Sequence, residues 1–475
     1  MTMTKEEKIN KINSLKQKAD KLKKEVDYYN ALQLALKLIL NGSYGAFATP
    51  YFVLFNQHVA GTITAQGRDL TKTMDAVNER YWYNQWHIDY ELHSRLGIKN
   101  ISPINKKEEK VSIYADTDSL FVSFEPAIQH CEWKNLAVKN INNISEKFAF
   151  LEYRQETKIN NDNCLGYYRS IDDLKEFLKS TKPSILIIDG YFAKNRTFNS
   201  EEFQSLIKGI EIRWNWENEL DFIHGIDAFR YGEYFKNCLE EYAGSYGVKN
   251  REDFELERVS ESIINLAKKK YIQHIVYEDG IPYDRLTYIF PKGVELVRSS
   301  TPSFAREKIV EIVKYLFAHP DDFNIKELLK LVKNLRKEFE LADVDDICMQ
   351  SSCSNYDTKV LEDKTKLEFV SGAHFAVKSA AYYNYLLNQN KGLQSKYEFI
   401  KSGTKIKYYH CKNKKMNDMF AYIRGSYPIE FAPEIDYDEQ FMKSILSPIN
   451  SIIEPLGMPE ITKRLSVVLD IFGGF

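Results

Sequence analysis

The run VSIYADTDSLFVSF, from Val111 to Phe124, constrains the fold more than any other stretch of the chain. β-Branched and aromatic residues alternate on both sides of ADTDS, which reads as a strand, a tight acidic turn and a second strand. The predicted hairpin carries Asp116 and Asp118 at its tip. Two carboxylates so close in one turn can be aimed at one point, as divalent-metal chemistry on phosphates requires. An Asp-Thr pair also makes turn hydrogen bonds for their own sake, so the tip by itself leaves both readings open.

The 475 residues exceed what one hydrophobic core usually spans, about 250 to 300 residues, and predict two or three domains. Hydrophobic residues at 44% and charged residues at 28% exclude wholesale disorder. A formal charge of -2 gives no general affinity for nucleic acid, so any such binding has to come from local basic stripes. Cys131, Cys164, Cys238, Cys348, Cys353 and Cys411 show no paired spacing, which indicates buried thiols rather than zinc or disulfides. No charged-then-apolar leader opens the sequence, and no apolar run nears the roughly 20 residues that span a bilayer. A cytoplasmic protein without a membrane partner is expected, in the host cytoplasm if the source is viral.

Ile9, Ile12, Leu15, Ala19, Leu22 and Val26 recur at helical steps among Lys and Glu, an apolar seam that calls for a partner helix. Lys16, Lys18, Lys21, Lys23 and Lys24 form either a solvated face or an aid to triphosphate capture. A second helical pattern runs from about Tyr28 to Leu40 and is expected to end at Asn41, with Gly42 and Gly45 allowing close backbone approach. Lys37, Asn41 and Tyr44 then share one helical face, offering a cation for phosphate, an amide and a phenol ring. A surface Lys beside a packed Tyr is the competing reading. From Pro126 to about Trp216 the pattern loosens into helix and loop with one buried-type strand at Ile185 to Ile188, which reads as an insertion. Strands are expected at Phe254 to Val259, Tyr271 to Tyr277 and Leu286 to Phe290, forming a mixed sheet. Beyond Pro302 helices are expected at Phe304 to Phe317, Ile325 to Leu341, Ala373 to Leu387 and Tyr437 to Ile453.

Four segments together resemble family B DNA polymerases, and in particular the T-even-like phage replicative enzymes. KLILNGSYGAFA resembles the family's motif B, with Gly42 where Ser is usual, and IYADTDSLFVSF resembles motif C, with Ala115 in place of Gly. FELERV followed by AKKKY resembles the palm strand and the K-K-R-Y motif, with Lys270 where Arg is usual, and KGVELVRSSTP resembles the passage from palm to thumb. The four stand in the family's order.

The resemblance implies an α+β right-hand polymerase fragment with a mixed-sheet palm flanked by helices. It divides into a fingers helix over 1–48, a palm over 49–293 with an insertion at about 127–216, and a mostly helical thumb over 294–475. It implies that Lys37 contacts the incoming triphosphate, Asn41 supports the nucleotide pocket and Tyr44 lies beside the nascent pair. Asp118 and Asp116 become the catalytic carboxylates, and Glu257 joins them near two Mg2+ ions. Lys268, Lys269, Lys270, Tyr271 and Arg298 would contact primer-template DNA. Such enzymes transfer nucleotides from dNTPs by attack of the primer hydroxyl on the α-phosphate.

The family's first catalytic aspartate lies in motif A, D-x-x-S-L-Y-P, and no such string occurs here. Asp189 in SILIIDGYF has the local shape but follows motif C, and a turn aspartate is the better reading. The expected completion is an amino-terminal polymerase half supplying motif A and the exonuclease, which makes this chain one subunit of a split polymerase. The alternative is a catalytically silent accessory protein that binds DNA and clamp. Leu469, Ile471, Phe472 and Phe475 resemble the phage tail that docks on a sliding clamp, against simple docking on the thumb. Lys401, Lys405, Lys407, Lys412, Lys414, Lys415 and Arg424 suit either a duplex backbone or a solvated loop.

Overall fold

The structure is a computed structural model that describes residues 5–116, 119–134, 136–139, 141–153, 160–320, 322, 324–360, 367, 369–414 and 417–466. The chain divides into two compact units, Met1–Glu255 and Leu256–Phe475. No helix among the described residues is long and apolar enough to cross a membrane.

The first unit opens with helix α1, Lys5–Phe47, and a turn leads to α2, Gln57–Arg80. α1 corrects the expected break at Asn41: Asn41, Gly42 and Gly45 lie inside one continuous helix, and a Cβ on either glycine would meet nothing within 4 Å. The glycines are tolerated there without any close approach. α2 starts at Asn56, whose side-chain oxygen accepts from the backbone N–H groups of His58 and Val59, an N-cap that satisfies two otherwise orphaned donors. It runs on into a π-helical turn, Tyr81–Gln85, which drives Tyr81, Trp82 and the following Trp86 into an aromatic core with Tyr231 and Phe124.

Strands β1, Ser112–Asp116, and β2, Ser119–Val122, form the predicted antiparallel hairpin, pairing Asp116 with Ser119. The stretch read as helix and loop with one buried-type strand at Ile185 to Ile188 contains that strand, but as one member of a four-stranded parallel sheet. Its strands are β3 Phe148–Leu151, β4 Cys164–Tyr168, β5 Ile185–Asp189 and β6 Glu211–Asn215, in the order β4-β3-β5-β6. β3 and β5 are buried along their whole lengths, as central parallel strands covered on both faces should be. The crossover helices Ile171–Ser180 and Glu201–Leu206 start at Ser170 and Ser200, each of which caps its helix through its hydroxyl. Trp216 closes over the end of β5: a Cβ on Gly190 would lie 2.5 Å from its ring, so only glycine fits.

In the second unit β7, Arg258–Ala267, and β8, Lys270–Glu278, form a long hairpin. β9, Ile281–Pro282, and β10, Tyr288–Lys292, add antiparallel to β8. The expected strand at Phe254 to Val259 thus begins only at Arg258. Helices Ser303–Ala318, Ile325–Leu341 and Phe375–Gln389 fall where apolar periodicity placed them. The last predicted helix runs from Tyr437 to Ile453 with a π-helical turn at Met442–Leu446. They share one core with a second antiparallel sheet that periodicity did not show, β11 Met349–Ser352, β12 Lys405–His410 and β13 Met419–Ile423. The fold class is α+β, but parallel and antiparallel strands are segregated into separate sheets, and no single mixed sheet forms among the described residues.

Candidate functional site

The carboxylate hairpin is held from below. Asn78, fully buried on α2, donates its amide to the Ser112 hydroxyl on β1 at 2.8 Å and accepts the Tyr231 hydroxyl proton on its own oxygen. Trp82 Nε1 donates to the same Tyr231 oxygen at 3.2 Å. Burial pushes the Tyr231 phenol well above the ordinary range, so it remains a neutral donor. Nearby, the Tyr83 hydroxyl donates to the Glu109 carbonyl at 2.9 Å and accepts the Val111 N–H at 3.2 Å, tying down the chain entering β1. None of these supporting residues stood out in the sequence, because Asn78, Trp82 and Tyr83 on one segment meet Ser112 and Tyr231 from two others and carry no local signature. The π-helical turns that place Tyr231 (Asp227–Tyr231) and Trp82 are the structural signal.

At the tip, Asp116 is 9% exposed, and the Ser119 hydroxyl donates to its backbone carbonyl at 3.1 Å. Thr117 and Asp118 lie outside the described residues. Among the described residues no three His, Cys, Asp or Glu side chains converge as a cation cage. Glu257 is exposed at the start of the second unit, immediately before β7.

Lys37, Asn41 and Tyr44 all lie on α1 at steps of four and three residues, the same helix face, and all three are exposed. Beside Tyr44 the α1–α2 elbow forms an open groove of about 330 Å3 lined also by Pro50, Phe55, Ala60 and Thr64. In the second unit Lys268, Lys269 and Lys270 are exposed at the β7–β8 turn, and Tyr271 next to them is 2% exposed. Arg298 pairs with Glu295 at 2.7 Å.

The basic stretch of residues 401–424 is mostly engaged within the protein. Lys407 is buried, donates to the Asp345 carbonyl and lies 3.7 Å from its carboxylate. Lys412 pairs with Glu434 at 2.6 Å, and Lys405 donates to the Ser352 hydroxyl at 2.8 Å. Lys407 is therefore a core residue and not a duplex contact, while Lys415 lies outside the described residues. So do Leu469, Ile471, Phe472 and Phe475. Asp189, the motif-A-like candidate, is 2% exposed and accepts the backbone N–H groups of Tyr153 and Tyr191, which is the turn role expected of it. All six cysteines are free, and burial pushes Cys131, Cys348 and Cys411 up to about 12, which keeps them protonated.

Comparison with known proteins bears on the amino-terminal third. Residues 4–160 match the profile of DNA polymerase family B, a range that contains both α1 and the carboxylate hairpin. The DNA polymerase catalytic subunits of Equine herpesvirus 1, strains Ab4p and V592, are each 34% identical over 93 residues. That alignment covers 19% of this chain and 7% of the relatives' own length. Residues 4–160 are therefore related to the family B DNA polymerases.

Proposed function

We propose that this chain is the carboxyl-terminal subunit of a split DNA-directed DNA polymerase, active when a second polypeptide supplies motif A. The observation that carries the reading is the joint presence, within residues 4–160 that match the family B profile, of the DTDS hairpin and the Lys37–Asn41–Tyr44 helix face. In this reading Lys37 meets the triphosphate as a point charge, Asn41 supports the pocket and Tyr44 lies against the nascent pair. Asp116 and Asp118, with Glu257 and an aspartate from the partner, would hold Mg2+. Bound magnesium would stabilise the attacking and leaving oxygens of nucleotidyl transfer. The Asn78–Ser112 hydrogen bond keeps the hairpin strand that bears Asp116 seated on α2. Lys268, Lys269, Lys270, Tyr271 and Arg298 grip primer-template DNA, the apolar tail engages a sliding clamp, and the domains follow the fingers, palm and thumb boundaries 1–48, 49–293 and 294–475.

The test is a tagged pull-down from the native source followed by primer extension with magnesium, for wild type and Asp118→Ala. A co-purifying chain containing D-x-x-S-L-Y-P, with extension lost in the variant, supports the split enzyme. Extension that survives the substitution, or the absence of such a chain, overturns the catalytic assignment and leaves an accessory binder.

A further inference from the structure

One end of the antiparallel sheet in the second unit gathers four lysines. β7 and β8 pair Ala267 with Lys270, which leaves Lys268 and Lys269 in a two-residue turn. One register step away β10 pairs Lys292 with Tyr271, and the Lys292 ammonium sits 5.5 Å from the centre of that ring. All four lysines are exposed. On an uninterrupted strand three consecutive side chains alternate between faces, and placing two of them in a turn releases them from that alternation.

The turn is unusual. Lys269 holds φ at +61°, the left-handed region that glycine or asparagine fills with less strain. Strain of this kind persists only where the surroundings over-determine it, and it gathers at ligand-binding positions. Here the determinant is Gly293, directly after Lys292. A Cβ built on Gly293 would lie 2.0 Å from the Lys269 carbonyl oxygen and 3.4 Å from Lys270 Cγ, and Gly293 itself holds φ at +68°. Space and backbone conformation therefore both require glycine, and it is the backbone of the lysine turn that rests on it.

We propose that Gly293 is a positioning residue that locks the lysine turn, and that Lys292 joins Lys268, Lys269 and Lys270 in one clamp for the sugar-phosphate backbone of duplex DNA. This rests on the nucleic-acid reading of the turn under the proposed function, and adds to it a fourth cation and the residue that sets their geometry.

Binding of the full chain to a fluorescein-labelled duplex, followed by anisotropy over a series of salt concentrations, tests the proposal. Removing one lysine–phosphate interaction makes the slope of log K against log salt shallower by about 0.9. Lys292→Ala should show that decrease. Gly293→Ala should bind as weakly as the triple Lys268, Lys269, Lys270→Ala variant, although it removes no charge. Lys269→Gly should show the same single decrease as Lys292→Ala while unfolding at a higher temperature, because the strain is relieved. An unchanged slope in Lys292→Ala, or wild-type binding by a folded Gly293→Ala chain, overturns the proposal. Should Gly293→Ala not fold, Lys292→Ala alone decides. If the triple variant binds as tightly as wild type, the underlying nucleic-acid reading of the turn fails instead, a result distinct from either of these.

Discussion

At the scale of single residues, the hairpin depends on a side chain the sequence does not advertise. Asn78 satisfies the half-buried Ser112 hydroxyl and the buried Tyr231 hydroxyl at once. Asn78→Ala leaves a buried phenol without its acceptor, which should destabilise the chain by about 1–3 kcal/mol in denaturant unfolding. Asn78→Asp, which removes the donor to Ser112 and puts a carboxylate in a fully buried site, should lose at least as much. His274 offers a second case. It is fully buried, its Nε2 accepts the Leu286 N–H at 2.7 Å, and burial lowers its basicity below the usual imidazole value. Protonation would destroy that acceptor, and Leu286, held at φ +60°, would lose the bond that anchors its turn.

At the scale of elements, α1 is the outlier. From residue 11 to residue 45 every side chain is exposed, including Leu32, Leu36, Leu38, Ile39 and Leu40 at 43% to 70%. A monomer in water rarely leaves so continuous an apolar surface open. The isolated chain should therefore self-associate in light scattering, and replacing Leu36, Ile39 and Leu40 with Gln should raise the monomer fraction without loss of helical circular dichroism. Unchanged association would mean that the helix surface is not responsible. The opposite situation holds at β3 and β5, where the apolar residues are wholly covered and the strands are correspondingly short.

At the scale of the whole molecule, both units bury histidines. Burial holds His93 in the first unit, and His274 and His410 in the second, below the ordinary value of 6.5. The unfolded chain therefore binds more protons near that value than the folded one. Their contribution to stability is fully present above about pH 6.5 and is lost as the pH falls through the lower folded values. Chemical denaturation between pH 7.5 and about 5 should show this loss, and His274→Gln should flatten it for the second unit. The tail prediction also belongs to this scale: replacing Leu469, Phe472 and Phe475 with Ala should abolish retention on a sliding-clamp column, and unchanged retention would rule the clamp out as a partner of the tail.

Elements whose register or period is written locally were legible. The acidic hairpin is two alternating runs around a turn, and the helices at Ile325–Leu341 and Ser303–Ala318 follow apolar spacing along a single segment. The shared helix face of Lys37, Asn41 and Tyr44 was legible in the same way, since it follows from helix geometry alone. Of the parallel sheet only β5 was legible, as a continuous apolar run; the other strands were not, because they lack the alternation that marks a half-exposed strand. The continuity of α1 through Gly42 and Gly45 was also missed, as helix propensity penalises glycine but does not forbid it. Which lysines face solvent and which, like Lys407, serve the core depends on partners such as Asp345 from distant segments. The sequence by itself thus determined the locally patterned elements and where their motif residues stand along them. Only tertiary structure decided how Asn78, Tyr231 and Gly293 hold them, because those interactions join residues 24 to 153 positions apart.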